Sequence, residues 1–337
     1  MNLYDLTIEL MKIPSTSEEE HEIGRFLGKH LRTLGYEVEL QEVENGRKNV
    51  IAWASENPRV FYSTHMDTVP PYIPPTEDSE KIYGRGACDA KGIIAAQITA
   101  AENLRRNGIE DIGFLYTVDE EESAKGAKVA NDHPIGAKCD FLINGEPTDN
   151  DLGIGSKGSL RMLLKTEGKA AHSAYPEMGD SAIEKLLGAL QDILNAEFPK
   201  DEFFGETTIN IGTIHGGLKT NVVAPSAEAG LHIRMVSDLE PVTEVLEKAI
   251  AGRGTLETMS CSLPVKMLAV DGFKQKVVRF TTDIPYLTKW GTPLLLGPGS
   301  ILDAHTSHEF VLKKDLEEAV KLYEGLGRKL ITERTEE

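Results

Sequence analysis

Four stretches of the chain are apolar and strand-like, and each ends in a loop rich in acidic or histidine residues. Val60–Thr64 stops at His65 with Asp67 two residues on, and Ile112–Thr117 stops at Asp119-Glu120-Glu121-Glu122. Phe141–Ile143 stops at Asn144-Gly145-Glu146, and Pro293–Leu296 runs through Gly297-Pro298-Gly299-Ser300 to His305. Between them lie helical periods. Residues 3–12 predict a short helix broken at Pro14. Ser17-Glu18-Glu19-Glu20 has the form of a capping box and predicts a helix to Leu34 with Gly35 as its stop. Tyr36–Gln41 and Asn49–Ala54 read as strands. The glycine-rich segment Gly84–Gly92 leads into a helix with Ile94, Ile98, Ala101 and Leu104 on one face. Strand-helix alternation of this kind predicts an α/β fold with a mostly parallel sheet.

The middle third has a different rhythm. Strands are predicted at Leu160–Thr166, Thr207–Ile214, Ala227–Arg234 and near 255–267, with helices at Ser181–Leu194 and Pro241–Ile250. The order β-α-β-β-α-β is that of a ferredoxin-like unit. It predicts a lid over 157–267, inserted into a catalytic domain formed by 1–156 and 268–337.

Length and composition bound the function classes. A chain of 337 residues suffices for two domains, and 40% hydrophobic with 27% charged residues is an ordinary globular composition. A net charge of −18 argues against a nucleic-acid partner. Cys88, Cys139 and Cys261 are widely spaced and odd in number, as expected in a reducing cytoplasm. The start Met1-Asn2-Leu3-Tyr4 has no basic-then-apolar signal pattern, and no apolar run approaches the roughly 20 residues of a membrane helix.

In open α/β sheets ligands bind beyond the carboxyl ends of the strands. Four such ends would gather two imidazoles and several carboxylates, a collection of like charge that needs cations to hold it. His65, Asp89, Glu121, Glu146 and His305 are the candidate ligands of two divalent ions: Zn²⁺ first, with Co²⁺ and Mn²⁺ as alternatives. Asp89 is the natural bridge, because a carboxylate offers two oxygens. Asp67 is placed to accept the His65 ring N–H. Glu120 is the candidate general base, although spacing alone leaves Asp119 and Glu122 open.

Together, Thr64-His65-Met66-Asp67-Thr68-Val69-Pro70, Gly84–Gly92, Asp119-Glu120-Glu121 and Gly145-Glu146-Pro147 resemble the dinuclear zinc aminoacylase and carboxypeptidase family over nearly the whole chain. The resemblance implies a zinc-exopeptidase-like catalytic domain, the five ligands above, Glu120 as base and a homodimer formed through the lid. Spacing does not separate His305 from His308, and the resemblance favours His305. The tail Leu296–Ser300 with Ala304–Phe310, and Phe280–Tyr286, is similar to the acetylornithine and acetyl-lysine deacetylase branch. An N-acyl amino acid is therefore the expected substrate, with a dipeptide, an aminopeptidase substrate or a succinyl-amino acid as alternatives. The resemblance also implies that His172 stabilises an oxyanion across the dimer, and that Asn221 and Arg234 touch substrate; Arg234 would pair either with the substrate carboxylate or with an acidic residue of the lid. The backbone at Gly297, Gly299 and Ser300 would either offer N–H groups to a carboxylate or form a tight turn.

Overall fold

The computed structural model describes residues 1–332, in two compact units. The first comprises Met1–Ile154, Met267–Lys276 and the residues from Thr282 on; the second comprises Gly155–Lys266 with Val277–Thr281.

The first unit is built on a sheet ordered Glu37–Glu44, Arg47–Trp53, Ile112–Thr117, Val60–His65, Phe141–Asn144, Thr292–Leu295. The last four of these strands are parallel. The outer pair is not: Glu37–Glu44 and Arg47–Trp53 form a hairpin that joins the sheet antiparallel, and Leu295 faces Gly153 on an antiparallel neighbour. The sheet is therefore mixed rather than mostly parallel. The cause is local. Asn45 and Gly46 both hold positive φ (53° and 83°), as a two-residue hairpin turn requires, and that turn forces the chain back on itself.

The central strands are buried along their whole length, so they bury both faces. Consecutive residues point to opposite sides. Tyr62, Phe114 and Ile143 join one core with Ile94, Ile98, Leu104 and Tyr323, while Phe61, Leu115 and Leu142 join another with Ala127 and Trp290. Each fully buried large side chain of this kind contributes about 1.5–3 kcal/mol. Layers on both faces fix the strand register, and with it the single edge at which His65, Thr117, Asn144 and Leu295 all end.

One helix start departs from its sequence signal. The predicted capping box at Ser17 does not cap, and the helix runs His21–Thr33. The Ser17 hydroxyl donates to Asp67 instead, and Glu20 is buried against Arg47.

The second unit follows the order strand Gly158–Glu167, helix Ala182–Asn195, strands Thr208–Gly216 and Ser226–Met235, helix Leu239–Ile250, strand Thr255–Ser262. These four strands form one antiparallel sheet, with Thr208–Gly216 and Thr255–Ser262 at its edges. Leu160, Leu164, Leu231 and Ile233 pack under Leu186, Leu190, Val242 and Leu246 of the two helices. The alternate residues Arg161, His232 and Arg234 therefore stand on the other face. Among the described residues no helix is long and apolar enough to cross a membrane.

Candidate metal centre

The carboxyl edge of the parallel strands brings the predicted ligands together. His65, the last residue of its strand, is buried with Nε2 2.9 Å from Asp89 Oδ1 and 4.0 Å from Glu146 Oε1. His305 stands at φ 64°, with Nε2 3.0 Å from Glu121 Oε1 and 3.3 Å from Asp89 Oδ2. The two oxygens of Asp89 thus face two different imidazoles, as a bridging carboxylate requires. Ligand atoms of His65, Glu120 and Glu146 lie within 4.8 Å of one another, as do those of His65, Asp89 and Glu121.

The alternatives that spacing left open stand in different surroundings. Asp119 is held at φ 66° by Arg47 (3.0 Å) and by the Ser123 hydroxyl, so it turns away from the cluster. Glu122 is exposed. Of these three, Glu120 has a carboxylate oxygen within 4.8 Å of ligand atoms of His65 and Glu146. His308 is also exposed, and His305 rather than His308 meets Glu121 and Asp89.

Asp67 acts differently from the expectation. His65 Nδ1 lies 2.9 Å from the main-chain oxygen of Asp67 and 3.5 Å from its carboxylate, so the carbonyl is the hydrogen-bond acceptor. This contact places the proton on Nδ1 and leaves the Nε2 lone pair for a cation. The Asp67 carboxylate instead accepts the N–H groups of Glu120 (3.1 Å) and Glu121 (3.2 Å) and the Ser17 hydroxyl (2.9 Å). A His-x-Asp spacing turns the carbonyl back onto the ring and frees the side chain to hold the adjoining loop.

The electrostatics describe a cluster short of positive charge. Burial pushes Glu120 well above the usual carboxylate range, and the charge of Glu146 adds to it. Burial likewise raises Glu146 and Glu121, with Asp89 reinforcing both. Burial alone would raise Asp89 too, but hydrogen bonds from His305 and His65 outweigh it and hold Asp89 low. Hydrogen bonds to Asp89 and Glu121 push His305 up to about 10. Glu146 Oε1 is buried, with no hydrogen-bond partner among the described residues. Raised carboxyls and a raised His305 mark a charge deficit that divalent cations would balance. The donor set of imidazole nitrogens and carboxylate oxygens suits a borderline ion such as Zn²⁺. Among the described residues, His65 and Glu146 would hold one ion, Glu121 and His305 a second, and Asp89 both.

The remaining predicted contacts divide. The Gly297 N–H donates to Thr148 Oγ1 (3.0 Å), the contact of a turn. Gly299, at φ 80°, accepts from the Asp149 N–H, and a Cβ on it would lie 2.5 Å from Cys88 Cβ. Ser300 accepts main-chain hydrogen bonds from Asp303 and Ala304. Cys88 is buried against this turn and is a packing residue. In the second unit His172 is exposed, with Nδ1 accepting the Ala174 N–H (3.1 Å). Asn221 is also exposed, its carbonyl bonded to the Ser173 N–H, and Arg234 donates to Thr281 Oγ1 (3.0 Å).

Several buried residues at the centre carried no sequence signal of their own. Arg47 joins Glu20 and Asp119 behind the base. Asp283, buried and accepting from the Thr117 hydroxyl (2.7 Å), is pushed up to about 7 by burial. Glu309 and Arg85 form a buried pair at 2.6 Å. Their partners are distant in sequence, so only the fold reveals them.

The sequence profile of Peptidase family M20/M25/M40 matches residues 61–329, most of the chain and all five candidate ligands. The chain belongs to this family. Among its relatives are a Peptidase M20 domain-containing protein of Schizosaccharomyces pombe (37% identical; 96% of this chain, 84% of the relative) and a probable carboxypeptidase of Aspergillus flavus (36%; 94% and 87%). The fold is similar to that of the aminopeptidase PepT from Bacillus cereus, with a TM-score of 0.80 at 22% identity over 98% of both chains. It also resembles the M20 metallo-carboxypeptidase Sso-CP2 of Sulfolobus solfataricus (0.78, 18%, 98% and 99%) and the dinuclear metal-binding peptidase YXEP of Bacillus subtilis (0.71, 16%, 99% and 98%). A metallopeptidase-type hydrolase of peptide-like amides is the activity class of this M20 chain.

Proposed function

We propose that the chain hydrolyses the amide bond of a small N-acyl amino acid with two divalent ions, Zn²⁺ first among them, and that N-acetylornithine or N-acetyl-lysine is the substrate. The observation that carries the two-ion reading is Asp89, whose two oxygens face His65 and His305 while Glu146 and Glu121 flank those imidazoles. When bound, such a pair polarises an amide carbonyl and lowers the pKa of a water.

The protein's own groups do the rest. Glu120, raised by burial and by Glu146, takes a proton from the attacking water and returns it to the departing amine. Asp67 holds the Glu120 and Glu121 main chain in place, and the Asp67 carbonyl fixes the His65 tautomer.

The second unit serves in this proposal as a ferredoxin-like lid and dimerisation domain. An edge strand and helix support that role: Ile214 (54% exposed) lies on the free edge of Thr208–Gly216, and Leu187 (55%) stands on the outer face of Ala182–Asn195. Exposed apolar edges of this kind favour pairing with a second copy. His172 as an oxyanion donor across the dimer, with Asn221 and Arg234 as substrate contacts, rests on the resemblance.

A second reading has specific support. The relatives bear carboxypeptidase names, which favours a peptidyl acyl group on the same machinery. One panel decides between them: protein reconstituted with Zn²⁺ or Co²⁺ is assayed on acetylornithine, acetyl-lysine, their succinyl analogues and dipeptides. The deacetylase reading expects kcat/KM to be highest for an acetyl substrate and activity to vanish on chelation. Preference for dipeptides would establish the peptidase reading instead.

A further inference from the structure

Two loops must meet for Asp89 to face both imidazoles, one carrying Asp89 and the other His305. A single buried carboxylate joins them. Glu309 Oε1 accepts the main-chain N–H groups of Cys88 and Asp89, both at 3.3 Å, and its own carbonyl accepts the N–H of Gly84 (2.9 Å). Glu309 Oε2 accepts from Arg85 Nη1 at 2.6 Å, and the same nitrogen donates to the carbonyl of Thr306 (3.2 Å), next to His305. Both side chains are almost wholly buried, at 1% and 2% exposed.

We propose that Glu309, with Arg85, is a positioning residue for the metal pair: it sets the main chain at Asp89 and ties it to the His305 segment, so that the bridging carboxylate reaches both ions. The inference rests on the two-ion reading above.

A buried ion pair by itself is weak support for a fold, because desolvation consumes most of the Coulomb gain. What the position of Glu309 adds is control of geometry. The N–H groups of Cys88 and Asp89 are fixed in direction by one acceptor. Rotation of the main chain at Asp89 would carry one of its oxygens away from His65 or His305. A neutral amide at 309 has one acceptor oxygen, which cannot serve the Arg85 guanidinium and the two N–H groups together. Groups that orient metal ligands from behind typically change affinity by about 10–100-fold when removed.

The test is titration of chelator-stripped protein with Co²⁺, read by calorimetry and by the cobalt absorption spectrum, with cooperative thermal unfolding as the check on folding. Wild-type protein is expected to take up two ions. Glu309→Gln is expected to unfold cooperatively yet bind the second ion at least about tenfold more weakly. If Glu309→Gln does not fold, the double variant Arg85→Met, Glu309→Leu removes the acceptor without leaving a buried charge, and the same loss is expected. A folded variant of either kind that binds both ions at wild-type affinity overturns the inference and leaves the two-ion reading intact. A wild-type protein that binds fewer than two ions overturns that reading, and the inference with it.

Discussion

The Asp67 carboxylate accepts the main-chain N–H of Glu120 at 3.1 Å, so the candidate base is held by a residue of the neighbouring strand end rather than by its own loop. The His65 ring rests on the Asp67 carbonyl, which no side-chain substitution removes. Asp67→Ala is therefore expected to lower kcat by about 10–100-fold while both ions stay bound. Metal analysis beside steady-state kinetics checks it. Loss of an ion in the variant would mean that the carboxylate, not the carbonyl, orients His65.

Glu120 stands against His65 and Glu146, its carboxylate within 4.8 Å of a ligand atom of each. Glu120→Gln keeps its volume and removes the proton acceptor. Turnover is expected to fall by about 10²–10⁴-fold at unchanged metal stoichiometry. Near-full activity in this variant would take Glu120 out of the mechanism.

How much of this was legible beforehand follows from the range of each signal. Periodicity is local, so the long helix at Lys91–Arg106 and the two-sided strands ending at His65 and Thr117 were readable. The mixed character of the sheet was not, although Asn45-Gly46 carries a hairpin signal whose consequence is antiparallel pairing. Ser17 shows the opposite failure: a strong local pattern is overridden because the hydroxyl serves Asp67, 50 residues away. Arg47, Asp283 and Glu309 are ordinary charged residues in sequence. Each gains its meaning only from a partner that the fold supplies.

Metal removal should leave a distinctive pH dependence. In the metal-free centre hydrogen bonds to Asp89 and Glu121 raise His305 to about 10, against about 6.5 for an unfolded histidine. A raised folded-state pKa contributes stability that is complete below about 6.5 and lost as pH rises through about 10. The raised Glu120, Glu121 and Glu146 act in the same direction. Chelated protein is therefore expected to melt at falling temperature as pH rises from about 6.5 to 10, and its metal affinity to increase over the same range, because binding displaces these protons. Calorimetric melting with and without chelator checks both. A flat apo profile would contradict the charge deficit on which the metal reading stands.

His232 offers a test confined to the second unit. It stands across the sheet from Arg161, two residues from Arg234, with Nε2 2.9 Å from Ser159 Oγ. Burial lowers its pKa to about 4, and the two guanidinium charges add to the effect. A depressed folded-state pKa gives stability that is present above the unfolded value of about 6.5 and lost as pH falls through about 4. His232→Gln is neutral throughout and should therefore flatten the pH dependence of the urea midpoint between about 6.5 and 4. Because His232 is only half-buried, solvent screening keeps this effect modest. The sharper readout is the imidazole itself. Its proton resonance should titrate near 4, whereas titration near 6.5 would mean that the ring is not desolvated on this face, with Arg161 and Arg234 beside it, as the register places it.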